Sequence, residues 1–525
     1  MNKKEIILIL LSGILFGISF PPFSTNIIPF FALVPYLFLI YNQKSIWKTF
    51  RVTYFTFFIA SLIALYWTSG LTHMRDPYLI FAGVALYFWQ PAFFTLQSLL
   101  FFNIRKKYST EISLLLFPLV WVTFEWVYAY GEFAFPWLTF GNSMTYDLQK
   151  IQFAEVTGVY GISLWVLYIN SFIYYILLKY KTVERYGLKK YLILISFLVI
   201  FYLLPNFYNS NFKNEINSKD GIKIGIVQPN LDPWEKWRDG NSIQNRWQFV
   251  LNMLDVSKGQ KERGVDISVW PETAIPFDLP SFNNYYFQFS EKINEIDLSI
   301  LSGFADVKYY EKNAPITASS INDKIKYDSY NAILFSQPNI SEIQTYSKMR
   351  LVPFAERVPY AEKVPWLIEP LRWGVGISNW ARGTDSTIFY HSKSKSKFLS
   401  MICYESIFPE FVSSYVKKGA EFCIFITQDS WWGNTSGARQ HLQISILRAI
   451  ENRRWIVRCA NGGISCFIDP YGNVYDKSEM FTTATLEKVI YPQTYKTFYS
   501  KNGDLIAIIS VILTLLFFIY SIFKK

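Results

Sequence analysis

At 525 residues the chain is too long for one hydrophobic core, and it is 51% hydrophobic and 19% aromatic but only 17% charged, where a soluble protein carries about 25% charged residues. With a mean hydropathy of +0.16, that balance argues against a purely soluble chain and for a membrane protein with a sizeable water-facing part. Much of the net charge of +11 lies in short loops between apolar runs; with no basic stripe interleaved with aromatics, it is a topology signal, and no nucleic-acid partner is expected.

Seven apolar runs come first, at roughly 5–20, 27–41, 52–70, 78–103, 111–130, 161–179 and 190–205, and an isolated one lies at 504–522. Each is long enough, or nearly so, to cross a bilayer, which takes about 20 residues. The first two are short and separated by Pro21-Pro22, as in a hairpin of shallow helices. No small-residue cleavage site follows the first, so it is expected to remain as an anchor. Basic residues mark alternate loops: Lys3 and Lys4; Lys44, Lys48 and Arg51; Arg105, Lys106 and Lys107; Lys179, Lys181, Arg185, Lys189 and Lys190; Lys524 and Lys525. The loops 71–77 and 131–160 between them are not basic. The positive-inside rule then places both termini in the cytoplasm and 206–503 on the outer side. The expected division is a bundle of seven spans over 1–205, an outer domain over 206–503, and a last helix with its tail over 504–525. Glu125, close to the outer end of the fifth span, is either functional or a snorkelling carboxylate. The aromatic loop 131–160 is either an interfacial belt or a lipid-facing floor for the outer domain.

In the outer segment, IKIGIVQ (222–228) reads as a first strand, followed by helical pattern near 241–257. VDISVW (265–270) is a strand running into WPETA, which leaves Glu272 just past its end. SILSGFA (299–305) and NAILFSQ (331–337) are further strands, and QTYSKMRLVPFAE (344–356) leaves a strand at Lys348. KFLSMI ends in Cys403, Tyr404 and Glu405; a helix near 406–418, a strand over 421–428, a helix near 436–453 and a strand over 455–460 follow. Alternating strands and helices make this an α/β layered domain.

Three candidates therefore stand at strand ends: Glu272, Lys348 and Cys403. Taken singly each has a bland explanation: a solvated loop acid, a surface lysine, a small buried thiol. Together they make chemical sense, since a carboxylate takes the thiol proton and an ammonium favours the thiolate and then an oxyanion. No histidine lies near Cys403 in sequence, so a Cys–His pair has no local support. The four cysteines and three scattered histidines lack zinc spacing, and neither metal nor cofactor is expected.

WPETA, KMRLVPFAE and CYES resemble the nitrilase, or carbon-nitrogen hydrolase, superfamily, whose Glu, Lys and Cys follow that order. With a membrane bundle before the domain and one span after it, the chain resembles that superfamily's membrane-anchored branch, the apolipoprotein N-acyltransferase family. The resemblance extends over FPWLTFGNS, AEVTGVYGIS, QPN…KW (228–237), LVPFAERVPY (351–360), TQDSWWGNT (427–435) and RAIENRRWIVRCANGG (448–463). It implies an α-β-β-α sandwich at the outer face of the bacterial inner membrane. It implies transfer of a fatty acyl chain from a phospholipid to the α-amino group of a diacylglyceryl-cysteine at a lipoprotein N-terminus, by a ping-pong route through a thioester, in a monomer. Carried over by position, Glu272 is the base, Lys348 the oxyanion-side cation and Cys403 the nucleophile. Glu356 orients the lysine or the attacking amine, Glu405 is the acid just beyond the cysteine, and Tyr404 lends its backbone N–H to the oxyanion. Trp237, Asn331 and Trp431 are carried over as substrate-binding residues. The alternative is a membrane-tethered amidase or nitrilase acting on a small soluble substrate, which gives no reason for the spans.

Two stretches stay open. The segment 361–382, with Trp366, Trp373 and Trp380, matches the family poorly and is either a packed loop or a lid that admits lipid. Cys459 and Cys466 flank NGG; a disulfide is one reading, but apolar, strand-like flanks favour buried free thiols.

Overall fold

The computed structural model describes residues 1–23, 26–70, 76–180, 187–208, 220–237, 242–322, 324–371 and 379–523. Expectations resting on Lys181, Arg185, Trp373, Lys524 and Lys525 lie outside these residues, as does most of the loop 71–77. The chain forms two compact units: Met1–Ser69, Gly83–Asn211 and Thr497–Lys525 make one, Gly70–Ala82 and Phe212–Lys496 the other.

The first unit is helical. Pro77–Arg105, Thr110–Tyr128, Ala154–Tyr180, Leu188–Phe207 and Leu505–Phe523 are each long and apolar enough to cross a membrane. The remaining apolar runs form shorter or more polar helices: Lys3–Gly17, Ile28–Tyr41 and Ile46–Ala64, the last carrying Lys48 and Arg51. Lys3–Gly17 packs tightly on Ile46–Ala64 because Gly13 and Gly17 present bare backbone. A Cβ on Gly13 would lie 2.7 Å from the Thr56 carbonyl oxygen, and one on Gly17 2.7 Å from Ile63 Cβ. Phe16, between them, sits amid Phe20, Phe57, Phe94 and Phe140, with ring centroids 5.1–5.8 Å away. Ala154–Tyr180 starts earlier than the apolar pattern suggested, because a kink at Gly158 (φ 64°) joins an amphipathic first turn to the span.

The second unit holds thirteen strands among the described residues: β1 (Ile222–Gln228), β2 (Ile267–Val269), β3 (Ser299–Tyr310), β4 (Ser319–Ser320), β5 (Lys326–Ser336), β6 (Gln344–Ser347), β7 (Phe389–His391), β8 (Ser396–Ile402), β9 (Phe422–Thr427), β10 (Ile456–Ala460), β11 (Cys466–Ile468), β12 (Val474–Tyr475) and β13 (Ala484–Ile490). One sheet runs β13-β1-β2-β3-β5-β4 with β6 on β5; the other runs β12-β11-β10-β9-β8-β7. β1 packs against β10 and β5 against β8, so the sheets stack face to face. Helices Ile243–Glu262 and Asn283–Ile296 cover the first sheet through a core of Trp247, Val250, Leu254, Trp270, Phe289 and Ile300. Pro409–Lys417 and Ser436–Asn452 pair with each other beside the second. The result is the α-β-β-α sandwich.

The parallel strands β8, β9 and β10 are almost wholly buried, in keeping with their mainly apolar sequences, which Lys397, Ser400 and Arg458 interrupt. β3 and β5 extend well past the expected runs, because Asp306–Tyr310 and Lys326–Tyr330 pair with each other on a more exposed, polar end of the ladder. All four cysteines are buried free thiols, Cys459 and Cys466 included.

Candidate active site

The first sheet brings Glu272 and Lys348, and the second brings Cys403. β2 stops after three residues, and the chain turns through Pro271–Thr273 over Gly303 of β3. A Cβ on Gly303 would lie 2.4 Å from the Thr273 nitrogen and 2.8 Å from Glu272 Cα, so only glycine lets the turn settle there. Glu272 is 6% exposed. Its Oε1 accepts from Asn331 Nδ2 at 2.7 Å and from Lys348 Nζ at 3.4 Å. Its Oε2 has no hydrogen-bond partner among the described residues, which leaves it open to receive a proton. Burial raises the Glu272 pKa above the usual carboxylate range; Lys348 opposes that rise and Glu356 adds to it. A carboxyl so raised suits a base working near neutrality.

Lys348 follows β6 and donates its backbone N–H to the Asn331 carbonyl at 2.8 Å. Its Nζ reaches Glu356 Oε1 at 2.8 Å as well as Glu272. Burial alone would lower its pKa, but the carboxylates of Glu356 and Glu272 outweigh that and raise it, so the group is an ammonium. Glu356 also accepts from the Val352 N–H (2.8 Å) and from Asn331 Nδ2 (3.2 Å). Asn331, expected among the substrate-binding residues, thus spends its amide hydrogens on both carboxylates.

Cys403 directly follows β8, has φ 50° and opens the 3₁₀ turn Cys403–Ile407. A left-handed residue other than glycine costs about 1–3 kcal/mol and persists only where its surroundings impose it. Here its carbonyl accepts from His441 Nε2 at 3.1 Å and from Ser406 Oγ at 2.8 Å. Behind the imidazole, Asp429 Oδ1 lies 3.2 Å from Nδ1, and Arg458 donates to Asp429 Oδ2 at 2.6 Å. Burial, then the charge of Arg458, holds His441 below its ordinary pKa. The thiol pKa is pushed up by burial and by Glu272, with Lys348 pulling the other way. Lys348 favours the thiolate, but desolvation and the neighbouring carboxylate outweigh it, so the resting sulfur is a thiol. Deprotonation has to come from a base.

Glu405 is fully buried and fully engaged. Oε1 accepts from Tyr346 Oη (2.5 Å) and from the N–H groups of Met349 (2.7 Å) and Arg350 (3.2 Å), and Oε2 from the Ile402 N–H (2.9 Å). It clamps the segment after Lys348 to the strand end before Cys403, and so positions both. Tyr404 is buried in the turn after Cys403, its ring edge-on to Phe408. Trp237 and Trp431 lie in separate aromatic pairs, with Trp380 at 6.2 Å and with Trp234 at 5.2 Å. Trp366 is 71% exposed and Trp380 4%, so the segment 361–382 buries one tryptophan and presents another; its residues 372–378 lie outside the described ones. Glu125 is buried in its helix and accepts from Trp121 Nε1 (2.8 Å) and the Phe140 N–H (2.7 Å), which gives it a structural tie to the loop after the span.

The sequence reading missed His441, Asp429 and Arg458, because they lie on three elements and converge only in the fold. Their signal was faint: a polar set, D-S-W-W and Q-H, within stretches otherwise destined for the core.

Two family models match the chain: the apolipoprotein N-acyltransferase N-terminal domain over residues 12–172 and carbon-nitrogen hydrolase over residues 223–496. An apolipoprotein N-acyltransferase of Chlorobaculum tepidum is 33% identical over 518 residues, covering 96% of this chain and 94% of its own. Those of Rickettsia bellii and Geobacter metallireducens are 30% and 28% identical, over 99% and 96% of this chain and 97% and 93% of theirs. A solved amidase from Nesterenkonia sp. covers 56% of this chain and 97% of its own at 12% identity, with a TM-score of 0.38.

Proposed function

The chain belongs to the apolipoprotein N-acyltransferase family, and on that premise we propose that it moves a fatty acyl chain from a membrane phospholipid to the α-amino group of a lipoprotein's N-terminal diacylglyceryl-cysteine, through a thioester on Cys403. Glu272 Oε2 takes the thiol proton as sulfur attacks the ester carbonyl carbon. The tetrahedral oxyanion is stabilised by the Lys348 ammonium and by the Tyr404 N–H. As the C–O bond breaks, the leaving lysophospholipid oxygen takes the proton back from Glu272, and the acyl group stays on sulfur. In the second half the lipoprotein amine attacks the thioester carbonyl and gives a proton to Glu272. The C–S bond then breaks and the thiolate recovers that proton. Glu356 holds the ammonium, and Trp237, Asn331 and Trp431 are the residues proposed to meet substrate.

The observation that carries this reading is the base: a buried carboxylate with one oxygen fixed by Asn331 and Lys348 and the other unengaged, electrostatically coupled to a protonated thiol. Further, 1–205 are proposed as the inner-membrane bundle, 206–503 as the periplasmic catalytic domain and 504–525 as the last span and cytoplasmic tail, in a monomer. The test is mass spectrometry of the protein incubated with phospholipid vesicles. An acyl adduct on Cys403 is expected in the parent chain, with neither adduct nor N-acylated lipopeptide from Cys403→Ala. Product from that variant would end the mechanism.

A further inference from the structure

Among the buried titratable groups that the mechanism leaves unused, Lys236 stands beside the turn that carries the base. Lys236 ends the single-turn helix Pro233–Lys236, which Asp232 caps by accepting from the Trp234 N–H at 2.8 Å. Its side chain is 1% exposed. Its amine donates to Thr273 Oγ1 at 2.8 Å and to Gln428 Oε1 at 3.3 Å. Both acceptors are neutral. Burial pulls its pKa down to about 7, with the charge of Glu272 opposing the fall. An amine buried against neutral acceptors is a costly choice for packing alone, where an apolar side chain of like volume would serve.

The acceptors explain the choice. Thr273 directly follows Glu272 and has φ 48°, so the base stands on a strained turn at the end of β2. Gln428 directly follows β9, and β9 is the parallel neighbour of β8, whose Ile402 pairs with Ile426 just before Cys403. Thr273 belongs to the sheet that carries the base, Gln428 to the sheet that carries the nucleophile. Gln428 is itself held by Asn461 Nδ2 at 2.7 Å. One amine thus spans the sandwich at the strand ends where the chemistry lies. We propose that Lys236 is a positioning residue for acyl transfer: by tying the Glu272 turn to the sheet that ends in Cys403, it fixes the base within reach of the thiol.

The inference rests on the reading of Glu272 and Cys403 as base and nucleophile. A displacement of about 1 Å in such a pair costs on the order of 10²-fold in rate. Acyl-enzyme formation is measured by mass spectrometry in the full chain with phosphatidylethanolamine vesicles as donor. Lys236→Met is expected to slow acylation about 10–100-fold with the KM for donor changed less than about threefold. Thr273→Val should slow it about tenfold, and the double variant should be no slower than Lys236→Met, because both remove one tie. Full-rate acylation by Lys236→Met, or losses that multiply in the double variant, overturns the proposal. If Lys236→Met yields no folded protein, Thr273→Val decides alone: a loss in kcat at constant KM supports the tie and an unchanged rate overturns it. Cys403→Ala runs alongside: acylation there would sink the nucleophile assignment, whereas a dead Cys403→Ala with a full-rate Lys236→Met sinks only the tie.

Discussion

Asn331 shows how much of the chemistry turns on one side chain that moves no proton. Its amide hydrogens go to Glu272 and Glu356, and the bond to Glu272 favours the ionised carboxylate. Asn331→Ala removes that support, so the Glu272 pKa rises further and the base is ionised only at higher pH. The acid limb of the kcat/KM profile for acylation should therefore move to higher pH, with activity at neutrality down about 10-fold or more; an unmoved limb would show that Glu272 does not govern it. Glu405→Gln should cost more than its conservative look suggests. Four donors converge on that carboxylate, and an amide would turn two hydrogens of its own toward them. We expect kcat for acylation to fall about 10²-fold with a lowered melting midpoint, both readable in the purified variant. At this scale Glu272 and Cys403 were legible because each follows a recognisable apolar run, whereas Lys348 follows the polar strand QTYS and was legible only beside the other two. The clamps were not: whether Glu405 reacts or holds depends on Tyr346 and Met349, more than fifty positions away, and no local pattern encodes that.

Among elements, the legible ones bury a mainly apolar run, as β8 to β10 do, while short or edge strands escaped notice. β13 is half-exposed and charged, and becomes a strand only because β1 offers a full antiparallel ladder from Ile222–Ile490 to Gln228–Ala484. β7 was missed for the same reason, being three residues long, and it carries a pH-sensitive group. His391 is buried, which pushes its pKa down to about 4, with Asp266 opposing and Lys393 adding to the fall. In the unfolded chain a histidine titrates near about 6.5. Between those values the unfolded state holds a proton that the folded state refuses, so stability is fully present above about pH 6.5 and is lost as pH falls toward 4. Melting midpoints should decline over that window, and His391→Gln should flatten the decline; an equally steep slope in the variant would remove His391 as its cause. In the helical unit the apolar helices were legible but the contact between Lys3–Gly17 and Ile46–Ala64 was not, since a G-x-x-x-G spacing in an apolar run gives no partner. With Thr56 and Ile63 now against Gly13 and Gly17, Gly13→Leu should pry Lys3–Gly17 from Ile46–Ala64 and lower the melting midpoint in detergent by several degrees.

For the whole molecule the open quantity is parity. Five helices among the described residues have the length and apolarity to cross a bilayer, and five crossings would leave the termini on opposite sides. Eight crossings, the count read from the apolar runs, return them to the same side. The difference rests on Lys3–Gly17, Ile28–Tyr41 and Ile46–Ala64. Lys3–Gly17 has 15 residues, about 22 Å of helix against a hydrocarbon core of about 30 Å, so its length is what leaves it out of the five. Its polar ties favour insertion as a packed group: Ser12 Oγ donates to the Ala32 carbonyl at 3.1 Å, while Asn170 of Ala154–Tyr180 donates to the Pro29 carbonyl and accepts from the Leu33 N–H, both at 2.9 Å. A helix short of the membrane thickness is held there by neighbours that satisfy its backbone. The basic residues at Lys3, Lys4, Lys48, Arg51 and Arg105–Lys107 all fall on one side when these three helices cross, and also when Ile46–Ala64 crosses alone and the first two return to the side they started from. Fusions read this directly in a bacterial host. Green fluorescent protein at either terminus should fluoresce, and alkaline phosphatase joined after residue 208 should be active. A dark N-terminal fusion beside a bright C-terminal one would mean that none or two of the three short helices cross, and active phosphatase at the C-terminus would place the catalytic unit on the cytoplasmic side, away from the lipoproteins it is proposed to acylate.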